Sequence, residues 1–365
     1  MKQKRNPLTA IDLFCGAGGL TLGLKRAGFK VTAGVELYPE IAKTYKANHP
    51  TTKLLIKDIR EVTGKELFEL TGLKEIDLLV GCPPCQGFSK LTDKYHRKDP
   101  RNDLVLQIAR VIQEMMPKMV MMENVSGLAT RGKPILDEFV RRLESLGYLV
   151  NVETLQLAGY GVPQSRRRVV LLAGKGFHIP MPKLTHCRSG DPKKNLKPWL
   201  RVADVIKDME EPVTLSEAVE QGGPKKFNWH VVRDLTEMSI RRFQAIKPGT
   251  SRYKMPMELR PKCHQNNEKG FPNVYGRLSW EQVPPTITAG CTTPCKGRFG
   301  HPEELRTISV REAALIQTFP KSYKFDTQFM DTACDLVGNA LPCAFARIVA
   351  AKCRSALMEQ SLGGS

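Results

Sequence analysis

The stretch with the clearest chemical potential is Gly81-Cys82-Pro83-Pro84-Cys85-Gln86-Gly87-Phe88-Ser89, which follows the apolar run Ile76-Asp77-Leu78-Leu79-Val80. The run reads as a short buried strand. The Pro-Pro turn then holds Cys85 stiffly at the carboxyl end of that strand. Open α/β sheets keep their ligands outside the carboxyl ends of their strands. A thiol there is a nucleophile if something lowers its pKa or takes its proton. Without such help it is an inert, half-buried cysteine in a rigid loop.

A second cluster lies near the start, in Asp12-Leu13-Phe14-Cys15-Gly16-Ala17-Gly18-Gly19. Glycines in a strand-to-helix turn let a ligand approach the backbone and let the helix pack close. Glu36 ends the next apolar run, 20 residues after Gly16. A carboxylate there suits ribose hydroxyls. The spacing alone fits a dinucleotide or any adenosine cofactor. The dinucleotide pattern wants glycine where this chain has Thr21, which weakens the oxidoreductase reading. Asp58, after a third apolar run, is placed to accept from an adenine amino group.

The elements that must carry these groups alternate regularly. Strands are expected at 10–14, 31–35, 54–56, 78–80, 119–122 and 169–173. Helices are expected at 20–27, 41–48, 104–116 and 135–146. That alternation predicts an α/β fold with a doubly wound, largely parallel sheet. From about Ile179 to Pro285 prolines, lysines and irregular pieces dominate, which reads as a smaller loop-rich domain. Helices return at 309–318 and 343–357 and are expected to pack back on the first domain. The residues from Ser361 onward read as a frayed tail.

The chain has 365 residues and a formal net charge of +19. Such an excess favours a polyanionic partner, most simply nucleic acid. The charge is uneven: residues 160–300 hold 25 basic and 12 acidic side chains, the rest 31 and 25. The polyanion should therefore dock largely on the second half. Ten cysteines in this length do not resemble a secreted disulfide framework. With no N-terminal apolar segment and no apolar run of about 18 residues, a cytoplasmic, nucleoid-associated protein away from membranes is expected. Cys82-x-x-Cys85 and Cys291-x3-Cys295 have metal-like spacing, but no nearby His completes a set, so no metal is expected.

Taken in order along the chain, the motifs resemble those of the DNA (cytosine-5)-methyltransferases. Asp12–Gly19 looks like the family's S-adenosylmethionine loop, and Pro84-Cys85-Gln86-Gly87-Phe88-Ser89 like its nucleophile loop. Glu123-Asn124-Val125 follows the fifth strand, as the family's Glu-Asn-Val does. Gln164-Ser165-Arg166-Arg167-Arg168 matches its Gln-x-Arg-x-Arg segment. Pro285–Thr288, Arg311–Ala314 with Gln317–Pro320, and Gly338-Asn339-Ala340-Leu341-Pro342 resemble its later segments. Leu341 departs mildly from the usual Val.

The resemblance implies an AdoMet-dependent methyltransferase sheet in residues 1–178 and a target-recognition domain in 179–285. A C-terminal segment, 286–365, would return to the catalytic domain. The activity implied is sequence-specific methylation of cytosine C5 in duplex DNA. Cys85 would add to C6, turning the ring into an enamine that attacks the methyl group. Glu123 would partner N3, its carboxyl raised in pKa by partial burial. Arg166 would oppose the charge developing at O2. Phe14, Gly16, Gly18, Glu36, Asp58 and Ile59 would hold the cofactor, with Pro83 and Asn339 as further neighbours. The target base must be flipped out of the duplex to reach Cys85. Ser89, Gln164, Arg168, Arg233 and Arg252 are the candidate DNA contacts. Arg168 is expected to brace the loop or the phosphates. A monomer suffices for one site, and a cognate restriction endonuclease is a natural partner. A tRNA cytosine methyltransferase on the same scaffold, and a catalytically inactive DNA-binding relative, are the alternatives.

Overall fold

The computed structural model describes residues 7–84, 103–265 and 271–363. Cys85 and Ser89, with the rest of the expected nucleophile loop, lie outside the described residues. The chain divides into two compact units. One comprises Met1–Tyr160, Arg167–Thr185 and Leu341–Ser365, the other Gly161–Arg166 and His186–Ala340.

The first unit is built on a seven-stranded sheet. Its elements run β1 (Thr9–Leu13), α1 (Gly19–Arg26), β2 (Lys30–Glu36), α2 (Pro39–Asn48), β3 (Lys53–Ile56), α3 (Gly64–Thr71), β4 (Leu78–Gly81), α4 (Leu104–Met115), β5 (Met119–Val125), α5 (Lys133–Ser145), β6 (Tyr148–Gln156) and β7 (Arg167–Lys175). The spatial order is β3-β2-β1-β4-β5-β7-β6. Strands β1 to β5 pair in parallel. β7 runs antiparallel to both β5 and β6, so it alone is reversed, and β6 at the edge again points the same way as β1 to β5. Parallel neighbours need long crossovers, and the intervening helices provide them. The order turns back between β1 and β4. That is the topological switch point, where a doubly wound sheet opens a crevice.

Local chemistry explains the helices. Thr63 accepts from the Glu66 N–H and caps α3, which stops at Gly72 in a left-handed conformation. Helix α4 buries Val105, Ile108, Val111 and Ile112 on one face, and α5 buries Leu136, Phe139 and Leu143. These residues share a core with Ile11, Leu13, Val120 and Leu171 of the sheet. On α1, a Cβ at Gly23 would lie 2.4 Å from the Ala346 Cβ and 2.7 Å from the Arg347 N. Only glycine lets the closing helix Cys343–Gly363 approach this near. The stretch Met330–Ser361 is long and apolar enough to span a bilayer, but most of it is buried in the protein. Its hydrophobicity is that of a core element.

The second unit has few regular elements: a three-stranded sheet of very short strands, a two-stranded pair and short helices. Its boundary differs from the expected one. The stretch 286–340, including the helix Val310–Ile316, belongs to the second unit, and only the residues from Leu341 return to the first. Hydrogen bonds give the reason. Trp229 Nε1 donates to the Phe325 carbonyl at 2.9 Å, and Arg311 Nε donates to the Asn228 carbonyl at 2.8 Å. Buried donors of this kind hold the later stretch to the middle of the chain.

Candidate active site

Four strand ends converge on the switch point. β1 ends at Leu13, and Phe14 and Gly16 follow with φ of 61° and 53°. Gly18, at φ 87°, caps α1. A Cβ at Gly16 would meet nothing nearer than the Phe14 carbonyl at 3.9 Å. Glycine is therefore needed there for backbone shape, and the space above it is open.

Glu36, at the end of β2, clasps this turn. Its Oε2 accepts the Gly16 N–H and its Oε1 the Tyr38 N–H, both at 3.0 Å. Burial pushes its pKa up, against the pull of the backbone N–H groups of Tyr38, Gly16 and Leu37. Each carboxylate oxygen has a second lone pair for a ligand hydroxyl. Leu37 and Ile56 beside it are exposed large apolar side chains. Open space, a partly engaged carboxylate and apolar walls together fit a nucleoside.

Asp12, on β1, is fully buried, and its Oδ2 accepts from Thr21 Oγ1 at 2.6 Å. Thr21 thus braces the acid, which explains why this position is not the third glycine of a dinucleotide loop. Asp12 Oδ1 is buried with no hydrogen-bond partner among the described residues. Burial pushes the Asp12 pKa up to about 7.

Asp58 accepts from the Arg60 N–H at 2.9 Å and from Arg60 Nη1 at 3.1 Å. Ile59 is 4% exposed and belongs to the core, so its side chain is not a ligand wall. Any contact it makes with a cofactor must come from its backbone.

On the other side of the switch, Pro83 follows β4, and its carbonyl accepts from Asn124 Nδ2 at 3.3 Å. Burial, followed by the nearby charges of Glu123 and Asp12, pushes the pKa of the Cys82 thiol well up. Cys82 is thus an unreactive thiol held in its protonated form.

Glu123 itself is 7% exposed, and Arg168 Nε lies 2.8 Å from its Oε1. The strand register explains the meeting. Glu123 stands opposite Val170, and Val125 opposite Arg168, in the antiparallel β5–β7 ladder. Side chains two residues apart share a face, so Glu123 and Arg168 are diagonal neighbours.

Arg166 is placed differently from expectation. It precedes β7 and lies in the second unit, 3% exposed. Its Nη1 donates to the Ile287 carbonyl at 3.0 Å and its Nη2 to the Ala340 carbonyl at 3.3 Å. The guanidinium beside Glu123 belongs to Arg168.

With the geometry in place, comparison with known proteins is decisive. The family model for C-5 cytosine-specific DNA methylases matches residues 8–355. The chain belongs to that family. The type II methylase M.HgiDII of Herpetosiphon aurantiacus is 38% identical over 346 residues, covering 93% of each chain. The type II methyltransferase M1.HphI of Haemophilus parahaemolyticus is 31% identical, covering 94% of this chain and 86% of its own. The fold is shared with the S. pombe Dnmt2 methyltransferase, at 17% identity and a TM-score of 0.66 over 98% of this chain and 99% of that one. The protein is a DNA (cytosine-5)-methyltransferase.

Within this methyltransferase, two of the expected DNA contacts are internal. Gln164 is fully buried; its Nε2 donates to Gln317 Oε1 at 2.6 Å and to the Ile316 carbonyl at 3.2 Å. Its Oε1 accepts the Ile287 N–H at 3.2 Å. Arg252 is 1% exposed and donates to the Phe271 carbonyl from Nε at 3.1 Å. Both brace loops of the second unit and present nothing to a duplex. Arg233 is half-engaged, its Nε donating to Thr292 Oγ1 at 3.1 Å and its Nη2 paired with Asp331. Asn339, exposed, lies in the second unit at the end of the helix Met330–Gly338.

Proposed function

We propose that the methyl donor is S-adenosylmethionine, held by Phe14, Gly16, Gly18, Glu36, Asp58, the Ile59 backbone and Pro83, with Asn339 as a further contact. When bound, it supplies an electrophilic methyl group. Cys85 is the nucleophile that adds to C6 of a flipped-out cytosine, which makes C5 an enamine carbon. Glu123 hydrogen-bonds N3, and Arg168, not Arg166, opposes the charge developing at O2. Water takes the C5 proton before Cys85 leaves. The observation that carries this reading is the buried Glu123–Arg168 pair, one strand away from the loop that bears Cys85.

The second unit reads a short duplex site, with Ser89 and Arg233 as secondary contacts. The enzyme works as a monomer in the cytoplasm at the nucleoid. Similarity to type II methyltransferases over nearly the whole chain supports pairing with an endonuclease that cuts the same site.

The test is methyl transfer from labelled S-adenosylmethionine to unmethylated genomic DNA, read by bisulfite sequencing. One short motif methylated at C5 is the expected result. Cys85→Ala should abolish transfer while DNA and cofactor binding persist. Labelling of small RNA in place of DNA would refute the reading.

A further inference from the structure

The second unit carries a cleft of about 420 Å³. Its lining runs from Ser165, Thr286 and Thr288, beside Gln164 and Arg166, to Lys296 and the buried Phe299. Phe271 stands at its edge, 50% exposed and at a φ of 36° that phenylalanine rarely adopts. A strained, exposed aromatic held by a buried arginine is an arrangement that folding alone does not reward. Arg252 Nε, bonded to the Phe271 carbonyl, is what fixes it.

Beside the hydroxyls of Ser165, Thr286 and Thr288, the polar side chains of the cleft are Asn273, Lys296 and Arg298. Lys296 is exposed, and among the described residues its ammonium makes no ion pair. Arg298 Nη2 donates to Asn273 Oδ1 at 3.0 Å. A guanidinium has no acceptor, so the Asn273 oxygen must face it and the amide NH₂ must face away. Asn273 is exposed, so that NH₂ is available. An asparagine with both ends available reads adenine; with its oxygen engaged it is a donor only. No carboxylate lines the cleft among the described residues.

We propose that this cleft reads the major-groove edge of a guanine in the recognition site. Guanine offers two adjacent acceptors, O6 and N7, whereas adenine and cytosine place an amino donor there. Lys296 and the Asn273 amide supply the matching donors. Phe271 shields these hydrogen bonds from water. The inference rests on the reading that the second unit faces the duplex. The shared chemistry, an oxygen or nitrogen acceptor, also belongs to backbone phosphate, so the experiment separates the two.

The full-length enzyme is first used to find its methylated motif. Each guanine of a duplex carrying that motif is then replaced in turn by 7-deazaguanine, and kcat/KM is measured. For the wild type, one replacement should cost about 5- to 150-fold. In whichever of Lys296→Met and Asn273→Asp loses the N7 donor, that same replacement should cost no more than about twofold, because the contact is already lost, while the other variant loses activity on the unmodified site and keeps its sensitivity to the replacement. Both residues are exposed, so the variants should fold. Equal loss at every guanine with a salt slope reduced by about one would mark a phosphate contact and overturn the proposal. Variants indistinguishable from wild type would also overturn it. Failure of the wild type to methylate any DNA motif would refute the underlying reading, and the proposal with it.

Discussion

Replacing Arg168 by Met separates the two arginines that the sequence offers. Arg168 and Glu123 have side chains 14% and 8% exposed, with Nε and Oε1 2.8 Å apart. At an effective dielectric constant of about 20 their attraction is about 6 kcal/mol before desolvation. Desolvation offsets much of that, but removing one partner leaves a buried charge unpaired, at about 3–5 kcal/mol of stability. If Arg168 also opposes charge on the base, kcat should fall by about 10²- to 10³-fold. The assay is single-turnover methyl transfer, normalised to folded protein by thermal melts. Adding Glu123→Gln to Arg168→Met should restore most of the lost stability and none of the activity. Arg166→Met should behave otherwise. It strands the Ile287 carbonyl, at about 1–3 kcal/mol, while the Ala340 carbonyl keeps its bond from Gln317 Nε2, and folded molecules should keep their chemical step. Normal turnover by Arg168→Met, with loss of the chemical step in folded Arg166→Met, would refute the assignment.

Other consequences can be checked directly. Asp12 titrates near about 7 when folded and near about 3.9 when unfolded. Between these values the folded state binds the extra proton, so stability falls as pH rises, by about 4 kcal/mol in all. Urea melts of wild type and Asp12→Asn should therefore diverge, the variant gaining relative stability between about pH 4 and about pH 7; a gap independent of pH would count against it. Gly23→Ala should cost about 1–3 kcal/mol or more through collision with Ala346, and an unchanged melting temperature would show that the closing helix does not pack there. Affinity for DNA should fall steeply with salt as Lys and Arg release counterions from phosphates; a flat titration would remove the second unit as the docking surface.

Strands that are buried on both faces were legible because they read as apolar runs, and β1, β4 and β5 emerge near the expected positions. β6, Tyr-Leu-Val-Asn-Val-Glu-Thr-Leu-Gln, was not, because an edge strand with much of one face exposed mixes polar and apolar residues. The acids Glu36 and Glu123 were legible by their places at strand ends, whereas the buried Asp12 was not singled out. The choice between Arg166 and Arg168 was not. It depends on where β7 begins and on its register with β5, and one residue decides which side chain meets Glu123. Gln164 and Arg252 misled for a related reason. A polar side chain that satisfies buried backbone groups has the same letter as one that faces a duplex.

The first unit is assembled from three separated stretches, and its last piece, the helix after Leu341, follows the whole second unit in the chain. During synthesis, with residues emerging at about 5–20 per second, the groove for that helix beside Gly23 stays uncovered until the whole second unit has emerged. A message broken after codon 340 would therefore yield a complete second unit joined to an open first one. Supplying the missing helix as a separate peptide should close it, which makes the chain a candidate for activity switched on by complementation of two fragments.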